Sequence, residues 1–176
     1  MTKVRVATVW LDGCSGCHMS LLDMDERLIE LADKIDLVYS PLVDAKQYPE
    51  NVDVALVEGA VSSSHDLELI QEIRAKTKLI VSLGDCAVTG NVPSMRDLFT
   101  VSDVVSRVYD ENATIKGPLP TAVVPQLLKK VKPIHEIVPV DVFVPGCPPS
   151  ADTIYFVISE LLQGRIPETI DTRFGA

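Results

Sequence analysis

Positive charge is scarce in this sequence. Its 176 residues include 16 lysines and arginines against 25 aspartates and glutamates, so the formal net charge is −9. Proteins that bind nucleic acids usually carry clustered basic residues that neutralise phosphates. The deficit of basic residues therefore argues against a nucleic-acid-binding protein.

Long hydrophobic runs and glycine-rich phosphate loops are also missing. The longest stretch without a charged residue, 117–128, has 12 residues and contains three prolines, whereas a membrane-spanning helix needs about 20 mostly apolar residues. Neither G-x-G-x-x-G nor G-x4-G-K-[ST] occurs, so the common nucleotide-binding loops are absent from the sequence. No spacing typical of a nucleophilic active site is visible, and we assign no catalytic residue.

The residues that are present indicate one globular domain. Apolar residues make up 47% of the chain, which is far more than disordered proteins have, and the length fits a single domain spanning 1–176. No secretory or twin-arginine leader is visible, so we expect a cytoplasmic protein. In that compartment the four cysteines should be free thiols or metal ligands rather than disulfides.

Strands and helices are predicted to alternate along the chain. Alternation of this kind favours an α/β fold, here a flavodoxin-like, doubly wound and mostly parallel sheet. An irregular, partly proline-rich segment, 88–139, precedes the last strand, and long irregular segments usually serve function or bind a partner. The predicted strands are 3–11, 36–40, 52–57, 78–83 and 140–144, and helices are predicted over 19–35, after caps at 62–64, and from 150 or 152 to 162.

All four cysteines closely follow predicted strands. Cys14 and Cys17 come just after the first strand, whereas Cys86 and Cys147 each follow a later strand by three positions. Because the carboxyl ends of parallel strands meet at one edge of a sheet, we expect the four thiols to converge there. Each lies in a glycine-containing turn, which lets the backbone come close to a bulky ligand.

Several kinds of site are compatible with these four thiols. A [4Fe–4S] cluster suits one C-x2-C pair with two single cysteines on separate loops. A structural zinc site more often uses two such pairs, and a thioredoxin-like redox pair at Cys14 and Cys17 leaves Cys86 and Cys147 unexplained. Buried, inert cysteines are the remaining alternative.

Two further residues are candidates for contacts with such a site. Glu58 ends a predicted apolar strand, and it is either a neighbour of the cluster or a solvated carboxylate at the strand end. His18 directly follows Cys17. It is either a donor to a cluster sulfur or an ordinary helix cap.

The cysteine motifs and their surroundings resemble the small subunits of [NiFe] hydrogenases. Four segments carry the resemblance: DGCSGCHMS (12–20), VEGA (57–60), GDCA (84–87) and PGCPP (145–149). The chain is most similar to the short subunit of the cytoplasmic, bidirectional NAD(P)-linked type. The resemblance implies a flavodoxin-like fold that holds one proximal [4Fe–4S] cluster through Cys14, Cys17, Cys86 and Cys147.

The resemblance also implies a place in an H2:NAD+ oxidoreductase as its electron-transfer subunit. The partners would be a large subunit that carries the nickel–iron site and cleaves H2, and diaphorase subunits with FMN and iron–sulfur clusters. FMN in this chain is a minor alternative, because the cluster would occupy the same sheet edge. We expect part of the apolar surface of 88–139 to face the large subunit, since obligate interfaces resemble a core cut in half.

Two other functions stay open. The quinone-site cluster subunit of respiratory complex I is a relative that typically has two adjacent cysteines in its first motif, whereas Cys14 and Cys17 are separated by two residues here. Such a subunit would partner a quinone module and a membrane arm. A structural zinc module without a redox role is the alternative from another class of protein.

Overall fold

Seven strands and seven helices organise the part of the chain that the structure, a computed structural model, describes: residues 2–119 and 122–167. The strands are β1 (Val4–Trp10), β2 (Ile35–Tyr39), β3 (Val52–Glu58), β4 (Val61–Ser63), β5 (Thr77–Leu83), β6 (Leu127–Lys132) and β7 (Val142–Val144). The helices are α1 (Gly16–Leu22), α2 (Arg27–Ala32), α3 (Ser64–Lys76), α4 (Asp85–Thr89), α5 (Asn91–Ser94), α6 (Val101–Ser106) and α7 (Ala151–Leu162).

Five of the strands form one parallel sheet in the order β2-β1-β3-β5-β7. The central strand, β3, lies between β1 and β5 and is buried along almost its whole length. The strand order is that of flavodoxin-like sheets, in which crossover helices cover both faces. The predicted α/β fold with a doubly wound, mostly parallel sheet is therefore confirmed.

Alternate residues of the strands build two separate cores, one on each face of the sheet. On one face Val57 and Ile80 pack with Ile70 and Ile73 of α3. On the other face Leu56 and Val81 belong to a cluster that includes Ile154 of α7. Both faces are thus covered, which explains why the strands are nearly continuous apolar runs rather than alternating ones.

The caps of the two long helices follow the sequence closely. Ser63 accepts a hydrogen bond from the amide of Asp66, whose side chain bonds back to the Ser63 amide, and this capping box begins α3. Ser150 accepts from the amide of Thr153 and begins α7. Each cap satisfies backbone donors that would have no partner within the helix.

The single helix predicted over 19–35 is wrong. α1 ends at Leu22, α2 begins at Arg27, and the turn between them has Asp25 in a left-handed conformation with φ 50°. Aspartate tolerates this region better than most residues. The turn lets Met24, which is buried, join the core beneath α7, and this burial is a tertiary effect that helical spacing does not reveal.

The irregular segment before the last strand contains structure that the sequence did not predict. β6 pairs in antiparallel fashion with β4, more than 60 residues earlier, to form a small second sheet. The Arg96 guanidinium joins them, because its Nη2 donates to the backbone oxygens of Ser62 and Leu128 at 3.0 Å each. Ile134, which is fully buried, then fixes the segment to the core beside α3.

None of the helices in the described part of the chain combines the length and apolar character needed to cross a bilayer.

Candidate metal centre

A cavity of about 80 Å³ lies at the carboxyl edge of the parallel sheet. Its walls come from the loops that follow β1, β5 and β7, and from the end of β3. All four cysteines line this cavity, and so does Glu58. The thiols therefore converge as the strand positions indicated, while their role as ligands stays a prediction.

The first loop leads from β1 directly into α1. Ser15 takes a left-handed conformation, with φ 59°, and the helix begins at Gly16. A Cβ atom on Gly16 would lie 3.2 Å from Cys14 Sγ, which is closer than ordinary contact. The sharp turn thus places Cys14 just before the helix and Cys17 in its first turn.

The second loop approaches the first very closely at Gly84. This glycine has φ 82°, and a Cβ atom added to it would lie 2.2 Å from Cys17 Sγ. Only a residue without a side chain fits both the backbone conformation and the space. The approach brings Cys86, which follows two residues later at the start of α4, next to the first cysteine pair.

Asp85 fastens the second loop to the third. Its Oδ1 accepts a hydrogen bond from the Gly146 amide at 2.7 Å, and its own amide donates to the Gly146 carbonyl oxygen at 2.8 Å. Gly146 has φ 134°, and a Cβ atom added to it would lie only 2.6 Å from Pro149 Cα. Cys147 is consequently held in the wall of the same cavity as Cys17 and Cys86.

Glu58 and His18 form a buried pair against the inner wall. Their residues are 2% and 6% exposed, so the solvated alternative for Glu58 is excluded. Glu58 Oε2 accepts from the His18 backbone amide at 2.8 Å and lies 3.2 Å from His18 Nδ1. In the part of the chain described, Glu58 Oε1 and both ring nitrogens of His18 lack an aligned hydrogen-bond partner.

Burial distinguishes the inner thiols from the outer ones. Cys14 and Cys147 are exposed, whereas Cys17 and Cys86 are partly buried. Burial raises the pKa of the Cys17 thiol, and the nearby Glu58 carboxyl group raises it further. Burial also raises the pKa of Cys86, although a hydrogen bond from the Val92 amide opposes this. A bound metal would instead lower the pKa of both thiols, because coordination stabilises the thiolate.

Sequence reasoning missed one polar neighbour of the cysteines. Asn91 Nδ2 lies 3.5 Å from Cys147 Sγ and donates to it. The Gly90–Asn91 pair was the available signal, since this combination marks turns that need positive φ. Nothing local, however, indicates that the turn lies against a cysteine 56 residues away.

A model of the protein family described as NADH ubiquinone oxidoreductase, 20 Kd subunit, matches residues 14–161. The match includes all four cysteines and extends through most of α7. It therefore covers the loops that carry the cysteines and every strand of the parallel sheet except β1, which lies before residue 14.

Two curated relatives belong to hydrogenases. The delta subunit of the NAD-reducing hydrogenase HoxS of Cupriavidus necator is 41% identical over 177 residues, covering 96% of this chain and 85% of that subunit. A subunit of the F420-non-reducing hydrogenase vhu of Methanocaldococcus jannaschii is also 41% identical, over 94% of this chain and 58% of the relative. The chain thus spans little more than half the length of the methanogen protein.

A solved structure agrees with these relatives. One chain of an NAD+-reducing [NiFe]-hydrogenase in the H2-reduced state matches with a TM-score of 0.91 and 38% identity, and the match covers 96% of both chains. Sequence and fold agree over nearly the same residues. The chain therefore belongs to the family of the 20 kDa subunit of NADH ubiquinone oxidoreductase and, within it, to the small subunits of the NAD-reducing [NiFe]-hydrogenase type.

Proposed function

We propose that residues 1–176 form one electron-transfer domain in which Cys14, Cys17, Cys86 and Cys147 hold a single [4Fe–4S] cluster. The observation that carries the proposal is that three loops, distant in sequence, bring all four thiols to one cavity. Four cysteine thiolates are the usual ligands of such clusters. When bound, the cluster would accept and release one electron at a time.

The geometry favours a cluster over the other candidate ligands. The thiols lie on three loops as one C-x2-C pair and two single cysteines, whereas structural zinc sites more often use two such pairs. Four thiols spread around a cavity suit a polynuclear centre better than one zinc ion. The cavity of about 80 Å³ is also small beside the roughly 300–1,000 Å³ of typical organic-ligand pockets, which argues against FMN here.

The protein would work as part of a cytoplasmic NAD-reducing [NiFe] hydrogenase. H2 cleavage would take place at the nickel–iron site of a large subunit, and NAD+ reduction in diaphorase subunits that carry FMN and iron–sulfur clusters. This chain would supply the ligands and surroundings of the cluster rather than a catalytic residue. The similarity to the HoxS delta subunit and to an NAD+-reducing [NiFe]-hydrogenase chain supports this assignment.

An apolar surface beside the cavity is suited to the large subunit. The cavity is open on the side of the two exposed cysteines, and the turn over Cys147 continues into a segment with exposed Met95, Leu98 and Phe99. Obligate interfaces bury apolar side chains of this kind. The replacement Phe99→Glu should reduce co-purification of the large subunit, while iron content stays unchanged.

We assign Glu58 and His18 to the surroundings of the cluster. Glu58 bonds the amide of His18, the residue next to Cys17, and so holds the turn that presents this cysteine. Glu58→Gln keeps an acceptor for that amide but removes a negative charge, so the reduction potential should rise. Glu68→Gln, on the exposed side of α3, is the control. An unchanged potential and turnover in Glu58→Gln would contradict the assignment.

Metal analysis and electron paramagnetic resonance (EPR) test the central proposal. The full chain, purified without oxygen, should contain about four iron atoms and give an S = 1/2 signal after reduction with dithionite. Cys147→Ser should lower the iron content and change or abolish the signal. One zinc ion per chain and no signal would instead show a structural zinc module.

The family match supports a second candidate function. The matching model is named for a subunit of NADH ubiquinone oxidoreductase, so a quinone-site cluster subunit of a complex I-like enzyme is the second candidate. Co-purification of a nickel-containing partner with H2-dependent NAD+ reduction would support the hydrogenase. A nickel-free complex that reduces quinone from NADH would support the alternative.

A further inference from the structure

A short turn lies beside Cys147, one of the two exposed cysteines. It begins at Gly90 and runs through α5. Asn91 Nδ2 donates to Cys147 Sγ at 3.5 Å. The backbone amide of the next residue, Val92, is close enough to the Cys86 thiol to oppose the rise in its pKa.

Local bonds hold this turn in place. Gly90 has φ 84° and Asn91 has φ 22°, and both residue types tolerate positive φ. The Gly90 amide donates to the Cys86 carbonyl oxygen at 3.0 Å, and Ser94 Oγ donates to the Asn91 carbonyl oxygen at 2.7 Å. The backbone of Asn91 is thus fixed, and its side-chain amide starts from a defined position beside Cys147.

A donor at this position stabilises negative charge on the sulfur. Hydrogen bonds to cluster sulfurs are one of the factors that set reduction potentials, and bonds to an ionised acceptor are stronger than neutral ones. Adding one electron makes the site more negative by one charge, with no proton required. An N–H donor therefore favours the reduced form over the oxidised one.

We propose that Asn91 sets the reduction potential of the site through its hydrogen bond to Cys147. This inference rests on the proposed cluster. It makes Asn91 a tuning residue that is neither a ligand nor a catalytic group. Asn91 and Glu58 would act at different cysteines, since Asn91 bonds Cys147 whereas Glu58 bonds the amide of the residue next to Cys17.

Redox titration followed by EPR tests the role of Asn91 in the full chain. Asn91→Asp retains the shape of the side chain, and Asn91→Gly retains the backbone freedom, but neither has the side-chain donor. We expect each to lower the ratio of reduced to oxidised cluster about tenfold at a fixed potential, which is a shift of about 59 mV for one electron. The reduction potential should fall further in Asn91→Asp than in Asn91→Gly, because aspartate adds a negative charge.

Asn51 provides a matched control. It is an exposed asparagine with φ 60° just before β3, at the opposite edge of the sheet. Asn51→Asp and Asn51→Gly should therefore leave the potential unchanged. If both Asn91 variants keep the wild-type potential while the cluster is intact, the inference about Asn91 is wrong and the proposed function stands. A wild-type chain without iron would overturn both.

If the Asn91 variants lose the cluster, the hydrogen bond can still be tested on the wild-type chain. The sequence has three asparagines, at 51, 91 and 112. With asparagine labelled by ¹⁵N in the side chain, pulsed EPR of the reduced protein should detect one coupled amide nitrogen. A spectrum without such coupling would overturn the hydrogen bond.

Discussion

Replacing Gly84 with alanine should prevent the loops that carry Cys17 and Cys86 from meeting. The added Cβ would lie 2.2 Å from Cys17 Sγ, and the residue has φ 82°. With ψ 160°, Gly84 lies in an extended, positive-φ region that costs a residue with a side chain about 1–3 kcal/mol, and overpacking a filled site costs about 1–3 kcal/mol. The free energy of unfolding should therefore fall by about 2–6 kcal/mol if Cys17 keeps its place.

The sulfur can also yield by rotating away. In that case only the backbone strain of about 1–3 kcal/mol remains, but Cys17 no longer faces the other three thiols. Iron content after anaerobic purification should then fall, because a cluster that loses one of four ligands is bound weakly. Gly84→Ala should therefore differ from the wild type either in its free energy of unfolding or in its iron content.

Gly164→Ala is the control for backbone strain alone. Gly164 has φ 74°, and an added Cβ would meet no atom of the described residues within 4 Å. The free energy of unfolding of Gly164→Ala should fall by about 1–2 kcal/mol, and this variant should bind iron normally. Chemical denaturation and iron analysis of the two variants decide the question. Full iron content in Gly84→Ala, with a stability equal to that of Gly164→Ala, would refute the argument that this close approach shapes the site.

The remaining predictions concern the stability of the fold, measured by chemical denaturation. Ile80→Ala, in the fully buried centre of the sheet, should cost about 2–5 kcal/mol, whereas Ile115→Ala, which is 88% exposed, should change stability by less than about 0.5 kcal/mol. Asp141→Ala should cost about 1–3 kcal/mol, because Asp141 Oδ2 accepts from the buried Ile80 amide at 2.7 Å; an unchanged stability would show that another acceptor replaces it. Tyr48→Phe should cost about 0.5–1.5 kcal/mol by removing the buried 2.6 Å bond to Thr77. Burial raises the pKa of Tyr48 to about 12, so its contribution is complete below the unfolded value of about 10 and is lost as the pH rises towards 12. A wild-type protein that loses no more stability than Tyr48→Phe over that range would contradict the assignment.

The sheet and the convergence of the cysteines were predictable from local patterns. Segments such as 52–57 and 78–83 are apolar throughout most of their length, and strands covered on both faces suit that composition. Parallel strands end at a common edge. The placement of Cys86 and Cys147 just after two of them therefore anticipated the shared cavity.

Other features depended on contacts between distant segments. The predicted helix over 19–35 breaks because Met24 turns inward beneath α7. Likewise, β6 forms only because β4 lies beside it, and its own sequence includes three lysines, which is weak evidence for a strand. Local propensity is a poor guide wherever burial on a remote element decides the conformation.

The sequence by itself determined which thiols meet, because strand ends and glycine turns are local properties of the chain. The tertiary structure decided what surrounds those thiols. Glu58 is buried rather than solvated because the first turn of α1, which carries His18 40 residues earlier, packs against it. Asn91 reaches Cys147 because its turn lies against the loop that follows β7. Burial and hydrogen bonding of a polar side chain depend on what packs against it, and only the folded chain specifies that.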